Sequence, residues 1–375
     1  MSTQPEQLGN HGVVGNHGVV GNHSGVGSLP GTDVAQALHR TFGELTDGAI
    51  PYLPELPSRG PGADLIGRSA ALLVDLAVDL QPSGWRLVPR AGRDLERARS
   101  WWHEDLDLLA EIADGYTGPL KLQVAGPWTL AASLRLSRLE RAVVDPGACL
   151  DLVESLAEGV SQHVAEVRRL VPGAQVVLQV DEPSAPAVLE GTLPTASGFG
   201  RLRPVAEHTV REGLHTVVLA ARAAGAVDTL VHCCAAAPPI ALLAECGTGG
   251  ISVDTTLLGS EGWERIAAAV ERGLRLWAGS VPTRSPGPSL TPGEPVLGPP
   301  AVAQATAQTA VQAVAQTAAR AVAGSWTEVG LPAAALSEVI ITPTCGLAAA
   351  TPTRARAILR SAARAAQILA ERAHA

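Results

Sequence analysis

The chain has 375 residues, 46% of them hydrophobic and 17% charged, with a net charge of −8. That length and composition supply a large core, at a size where α/β barrels fold as one domain. An acidic balance with a single lysine, Lys121, beside 27 arginines excludes a nucleic-acid or anionic-membrane surface, and no uninterrupted apolar run is long enough for a spanning helix.

In chain order, residues 1–24 read as a low-complexity, disordered tail. Gly-Asn-His-Gly-Val-Val starts at Gly9 and again at Gly15, and a third Gly-Asn-His starts at Gly21. The spaced histidines His11, His17 and His23 either capture metal weakly or are a slippage repeat. No basic start followed by an apolar core is visible, so no secretory leader is expected.

From residue 25 the text alternates between strand-like and helix-like segments. The expected strands are Gly25–Leu29, Trp85–Pro89, Leu120–Ala125, Gln175–Asp181, Thr229–Cys234, Gly250–Asp254, Leu274–Val281 and Val339–Cys345. Helical periodicity marks Ala63–Leu80, Asp94–Ala113, Pro146–Leu170, Pro204–Ala224, Gly262–Arg272 and Thr353–Arg372, bounded by Gly, Pro and Asp signals. Eight strands alternating with helices predict a single (β/α)₈ (TIM) barrel over residues 25–375. Residues 284–323 stand apart: a Pro/Gly-rich stretch, then an Ala/Gln/Thr-rich run read as an extended seventh helix.

Three expected strands end in chemistry. Val-His-Cys-Cys ends at Cys234, Ile-Ser-Val-Asp at Asp254 and Thr-Pro-Thr-Cys at Cys345. In a barrel, catalytic groups sit at the carboxyl ends of strands. Residues two apart in a strand point the same way, which selects His232 and Cys234 and turns Cys233 to the other face. Two thiolates, an imidazole and a carboxylate suit zinc, so His232, Cys234, Cys345 and Asp254 are the candidate ligands. Asp254 has an alternative use, capping the segment that follows it. Cys149 and Cys246 lie in helical or loop text and read as core residues.

Five cysteines, an odd count in so long a chain, do not read as a disulfide framework, and a reducing cytoplasm is the expected setting. A thiolate-rich zinc site suggests chemistry on another thiol. A free thiol is only about 3% thiolate at pH 7, and coordination makes it essentially all thiolate, a gain of about 2 kcal/mol in available nucleophile. Walker loops, dinucleotide fingerprints and nucleophile elbows do not occur in a fitting context.

Val26-Gly27-Ser28-Leu29-Pro30, Gln179-Val180-Asp181-Glu182-Pro183, His232-x-Cys234, Ile251-Ser252-Val253-Asp254-Thr255 and Pro343-Thr344-Cys345-Gly346 occur in this order. With them the chain resembles the carboxy-terminal catalytic barrel of cobalamin-independent methionine synthases, from residue 25 to near the end. Singly, only the Asp-Glu-Pro and His-x-Cys pieces are distinctive. The resemblance implies a zinc enzyme that methylates homocysteine. It also implies that Gly27, Ser28 and Asp181 hold the amino-acid part of that substrate, with Asp181 in the catalytic centre. This agrees with elementary chemistry, since an ammonium wants a carboxylate and a carboxylate wants N–H groups at a turn. Glu55 is a candidate second carboxylate at the amine.

Three departures from the family's pattern stand out. Asp254 replaces the family's usual Glu ligand. The family's His-Ser-Pro, tied to protonation of the folate leaving group, gives way to Gly279-Ser280-Val281-Pro282-Thr283. A counterpart of the amino-terminal barrel of the long members is not expected. The methyl donor is therefore left between methyl-folate and a methyl-corrinoid protein. Trp101-Trp102-His103 and Trp128 are further candidates for a donor pocket, with core packing as the other reading. Rival functions are transfer to a different thiol and non-catalytic zinc binding.

Overall fold

The computed structural model describes residues 21–43, 48–137, 139–283 and 300–375, with side chains from residue 308 in the last stretch. The repeats that start at Gly9 and Gly15 and the Pro/Gly-rich residues 284–299 lie outside the described residues. Ten strands occur among those described: β1 His23–Ser24, β2 Ala49–Ile50, β3 Ala77–Gln81, β4 Gly84–Val88, β5 Gly118–Ala125, β6 Ala174–Asp181, β7 Asp228–Cys233, β8 Gly250–Asp254, β9 Arg275–Val281 and β10 Ile340–Pro343.

Eight of them form one parallel sheet in the order β2-β1-β10-β9-β8-β7-β6-β5. The two ends meet where Tyr52 bridges Lys121, with Lys121 N donating to Pro51 O at 2.8 Å and Leu53 N to Lys121 O at 3.1 Å. The fold is the expected eight-stranded α/β barrel. Its lower interior is plugged by Ile50, Val177, Leu230, Trp277 and Ile340, a cluster separate from the larger core between sheet and helices. Above that plug, towards the carboxyl ends, the inward side chains turn polar.

The helices start where their caps say they should. Asp145 accepts from Gly147 N and Ala148 N to open Pro146–Leu170, with Pro146 in the first turn. Thr351 does the same for Pro352–Ala373. The extended seventh helix runs Pro300–Glu328. No helix among the described residues is long and apolar enough to cross a membrane.

Three expectations need correction. The first strand is His23–Ser24, ahead of Gly25–Leu29, so the third Gly-Asn-His belongs to the barrel and not to the 1–24 tail. The second barrel strand is Ala49–Ile50, not Trp85–Pro89; it is two residues long and hidden before Pro51. Trp85 sits instead in β4, paired antiparallel with β3 in a hairpin outside the barrel. The apparent helix Ala63–Leu80 is a short helix, Leu65–Ala70, followed by β3, because its apolar residues serve two different elements.

Candidate active site at the carboxyl rim of the barrel

Register aligns the candidates. Asp181 of β6 pairs with His232 of β7, and His232 pairs with Ser252 of β8. His232 is buried, and its Nδ1 lies 2.8 Å from Ser252 Oγ. Its Nε2 is buried and has no hydrogen-bond partner. Burial, helped by Lys121, lowers its pKa to about 3, so the ring is neutral. In the tautomer that donates Nδ1–H to Ser252 Oγ, Nε2 carries a free lone pair.

Cys234 Sγ and Cys345 Sγ are 3.6 Å apart, brought together across the rim from the ends of β7 and β10. Cys233 points the other way into the apolar core. Two sulfurs on one tetrahedral zinc stand about 3.8 Å apart, close to the observed spacing. The neighbouring Cys345 thiol and burial both push Cys234 above the ordinary thiol range.

Asp254 does something different. Its Oδ1 accepts from Thr256 N at 2.9 Å and Thr256 Oγ1 at 2.6 Å, capping the turn Thr255–Leu257. Among the described residues no group of three or more His, Cys, Asp and Glu side chains stands close enough to hold a metal ion. The structure thus joins the two thiols, leaves the His232 nitrogen unpartnered, and turns the fourth candidate to a cap. An orphaned buried imidazole nitrogen and a thiol pair at this spacing fit zinc by donor chemistry.

The amino-acid clamp candidates converge on the same interior. Glu55 N donates to Gly27 O at 3.1 Å and Leu29 N to Glu55 O at 2.9 Å, so the Gly27-Ser28 turn runs beside Glu55. Glu55 is 4% exposed, not solvated as a Pro-rich loop suggests, and its Oε1 has no partner. Burial raises its pKa, against the pull of Arg68 and Lys121. Asp181 Oδ1 accepts from Gln179 Nε2 at 2.7 Å. Burial and then Glu55 raise Asp181, while Lys121 and Gln179 oppose. Ser28 O accepts from Leu347 N at 2.9 Å, and a Cβ on Gly346 would collide with Ser28 Oγ. The Cys345 loop and the Ser28 turn are therefore packed as one unit.

Glu182, beside Asp181, has a different use. It accepts from Trp128 N at 2.9 Å, Thr129 N at 2.8 Å and Thr129 Oγ1 at 2.7 Å, tying β6 to the helix Pro127–Ser133. Trp128 is buried, its Nε1 donating to Val210 O at 2.9 Å, and is a core residue. Trp102 is likewise buried under the Arg68 guanidinium, while Trp101 meets Arg59 and Arg97 nearer the surface.

The fold is shared with a methionine synthase. A B12-independent methionine synthase from Shewanella sp. W3-18-1, in complex with selenomethionine, superposes with a TM-score of 0.55 over 94% of this chain and 98% of that one. Identity is 12%, so the likeness is one of fold. No protein-family model and no curated protein sequence matches the chain.

Three interior residues escaped sequence reasoning: Lys121, Gln123 and Gln179. Each is a polar residue with inward register on an otherwise apolar strand, and Lys121 and Gln123 sit two apart. That alternation is the signal that finds them.

Proposed function

We propose that the chain is a zinc-dependent S-methyltransferase that converts homocysteine to methionine. The observation that carries this reading is the Cys234–Cys345 sulfur pair, 3.6 Å apart, on the same rim as the unpartnered Nε2 of buried His232 and the buried carboxylates Glu55 and Asp181. His232, Cys234 and Cys345 would hold the metal, and Asp254 would join them by giving up its cap on Thr256. Zinc, when bound, keeps a substrate thiol as thiolate at neutral pH.

The chain's own residues supply the rest. Ser252 orients the His232 ring. Asp181 and Glu55 receive the ammonium of the amino acid, and the Gly27-Ser28 turn receives its carboxylate. The fold likeness to a methionine synthase supports the reaction class.

For the donor, the rim segment Gly279–Thr283 matters, because it offers Ser280 and Thr283 hydroxyls but no histidine or carboxylic acid. A folate leaving group needs a proton, whereas a corrinoid leaving as cobalt(I) does not, which favours a methyl-corrinoid. The test is methionine formation by zinc-loaded protein from homocysteine, with methyl-folate and methylcobalamin in parallel. Methionine from methylcobalamin alone supports the whole reading. Turnover with methyl-folate at an enzyme-like rate contradicts the donor assignment. No methionine from either, and no binding of homocysteine, contradicts the function.

A further inference from the structure

Outside the barrel, a cavity of about 870 Å³ opens between helix Pro146–Leu170 and helix Glu207–Ala223. Two stripes at helical spacing face each other across it. Pro146, Cys149, Leu150 and Val153 line it from the first helix, and Thr209, Glu212, Gly213 and Thr216 from the second. The third wall is the segment 201–205, held in place where Leu202 N donates to Leu193 O at 2.8 Å and Val205 N to Val188 O at 3.0 Å. The inner lining is apolar, for Trp128, Val143, Cys149, Val153 and Leu202 are all buried. The Trp128 indole N–H is already bonded to Val210 O at 2.9 Å, so the ring offers only apolar surface. A Cβ on Gly213 would come within 2.9 Å of Trp128 Cζ2 and 3.0 Å of Val153 Cγ2, so the glycine lets indole, valine and helix close the floor. At the mouth, Val144 and Leu150 are 44% and 57% exposed, which leaves apolar surface in water there.

The charge around this cavity is one-sided. Arg201 and Arg203 line it against a single acid, Glu212. Arg201 Nη1 donates to Thr192 O at 2.7 Å, which leaves the other side of its fork open. Arg203 has no hydrogen bond or ion pair among the described residues. An apolar cavity of this size with a few polar groups is the form of a small-molecule site. Arginines among those groups select a carboxylate over an ammonium.

We propose that this cavity binds a small organic acid, with its apolar chain against Trp128 and Val153 and its carboxylate on Arg203 and Arg201. The site stands apart from the methyl-transfer reading, because none of the residues assigned to that reaction lines it.

Titration calorimetry on the full chain with decanoate, decylammonium and acetate tests this. Decanoate should bind at least about tenfold more tightly than decylammonium. Acetate, which lacks the chain, should bind at least about a hundredfold more weakly than decanoate. The first contrast is informative because a net charge of −8 favours the cation over the rest of the surface. Two variants at exposed positions locate the site without disturbing the core. Arg203→Gln should weaken decanoate at least about threefold. Leu150→Glu, which puts a carboxylate at the mouth, should weaken decanoate by at least about the same factor and strengthen decylammonium. The absence of decanoate binding overturns the proposal, as does equal binding of acid and amine. Decanoate binding that either variant leaves unchanged overturns it too, because the ligand then sits elsewhere.

Discussion

Glu182→Gln is a sharp test of how burial and hydrogen bonding compete at this barrel's rim. Glu182 is fully buried and accepts three hydrogen bonds from Trp128 and Thr129. Burial nevertheless raises its pKa from 4.5 to about 7, with those bonds opposing the rise. The folded state therefore keeps the proton up to about pH 7, while the unfolded chain releases it near 4.5. Since the folded state binds the extra proton in that window, stability falls as pH rises through it. At about 1.4 kcal/mol per pH unit, the loss comes to about 2.5 kcal/mol between pH 5 and pH 8. Glutamine does not titrate, but its NH₂ opposes one of the donors, which costs about 1–3 kcal/mol at every pH. Urea unfolding followed by tryptophan fluorescence should therefore show the variant less stable at pH 5. The gap should close or reverse by pH 8. A gap that stays constant or widens with pH would refute the reasoning, because the three hydrogen bonds would then outweigh burial.

Cys345→Ser should bind far less zinc than the wild type's expected one ion per chain, as read by elemental mass spectrometry, without loss of the helical circular dichroism. Asp105→Asn should destabilise the fold by about 3–5 kcal/mol in denaturant unfolding, because it leaves the buried Arg68 guanidinium without its carboxylate. Arg59, whose Nη1 is 2.5 Å from Asp105 Oδ1, keeps a second partner in Glu104, 2.6 Å from its Nη2.

The barrel was legible in the sequence where strands are long and apolar and helices are capped. Pro146–Leu170 could be read to the residue because Asp145 and Pro146 announce its start. The failures have a shared physical cause. Ala49–Ile50 and His23–Ser24 are two-residue strands whose pairing is decided by neighbours distant in sequence, and no local periodicity marks them. Trp85–Val88 has strand composition but spends it on a hairpin. At the site, period-two reasoning on β7 separated Cys234, facing Cys345, from buried Cys233. The cap made by Asp254 was visible only as one of two uses of a strand-end aspartate. Lys121 stood out by count, yet its burial beside the Val26 carbonyl and the Tyr52 ring depends on barrel closure at Tyr52, a long-range event.

The central claim is that Cys234 and Cys345, with His232, hold a zinc that accepts a substrate thiol. Zinc K-edge X-ray absorption of the zinc-loaded chain, with and without L-homocysteine, tests it most directly. The account predicts two sulfur scatterers in the free protein and a third, replacing an oxygen, when homocysteine is present. A coordination sphere that is unchanged by homocysteine would contradict it.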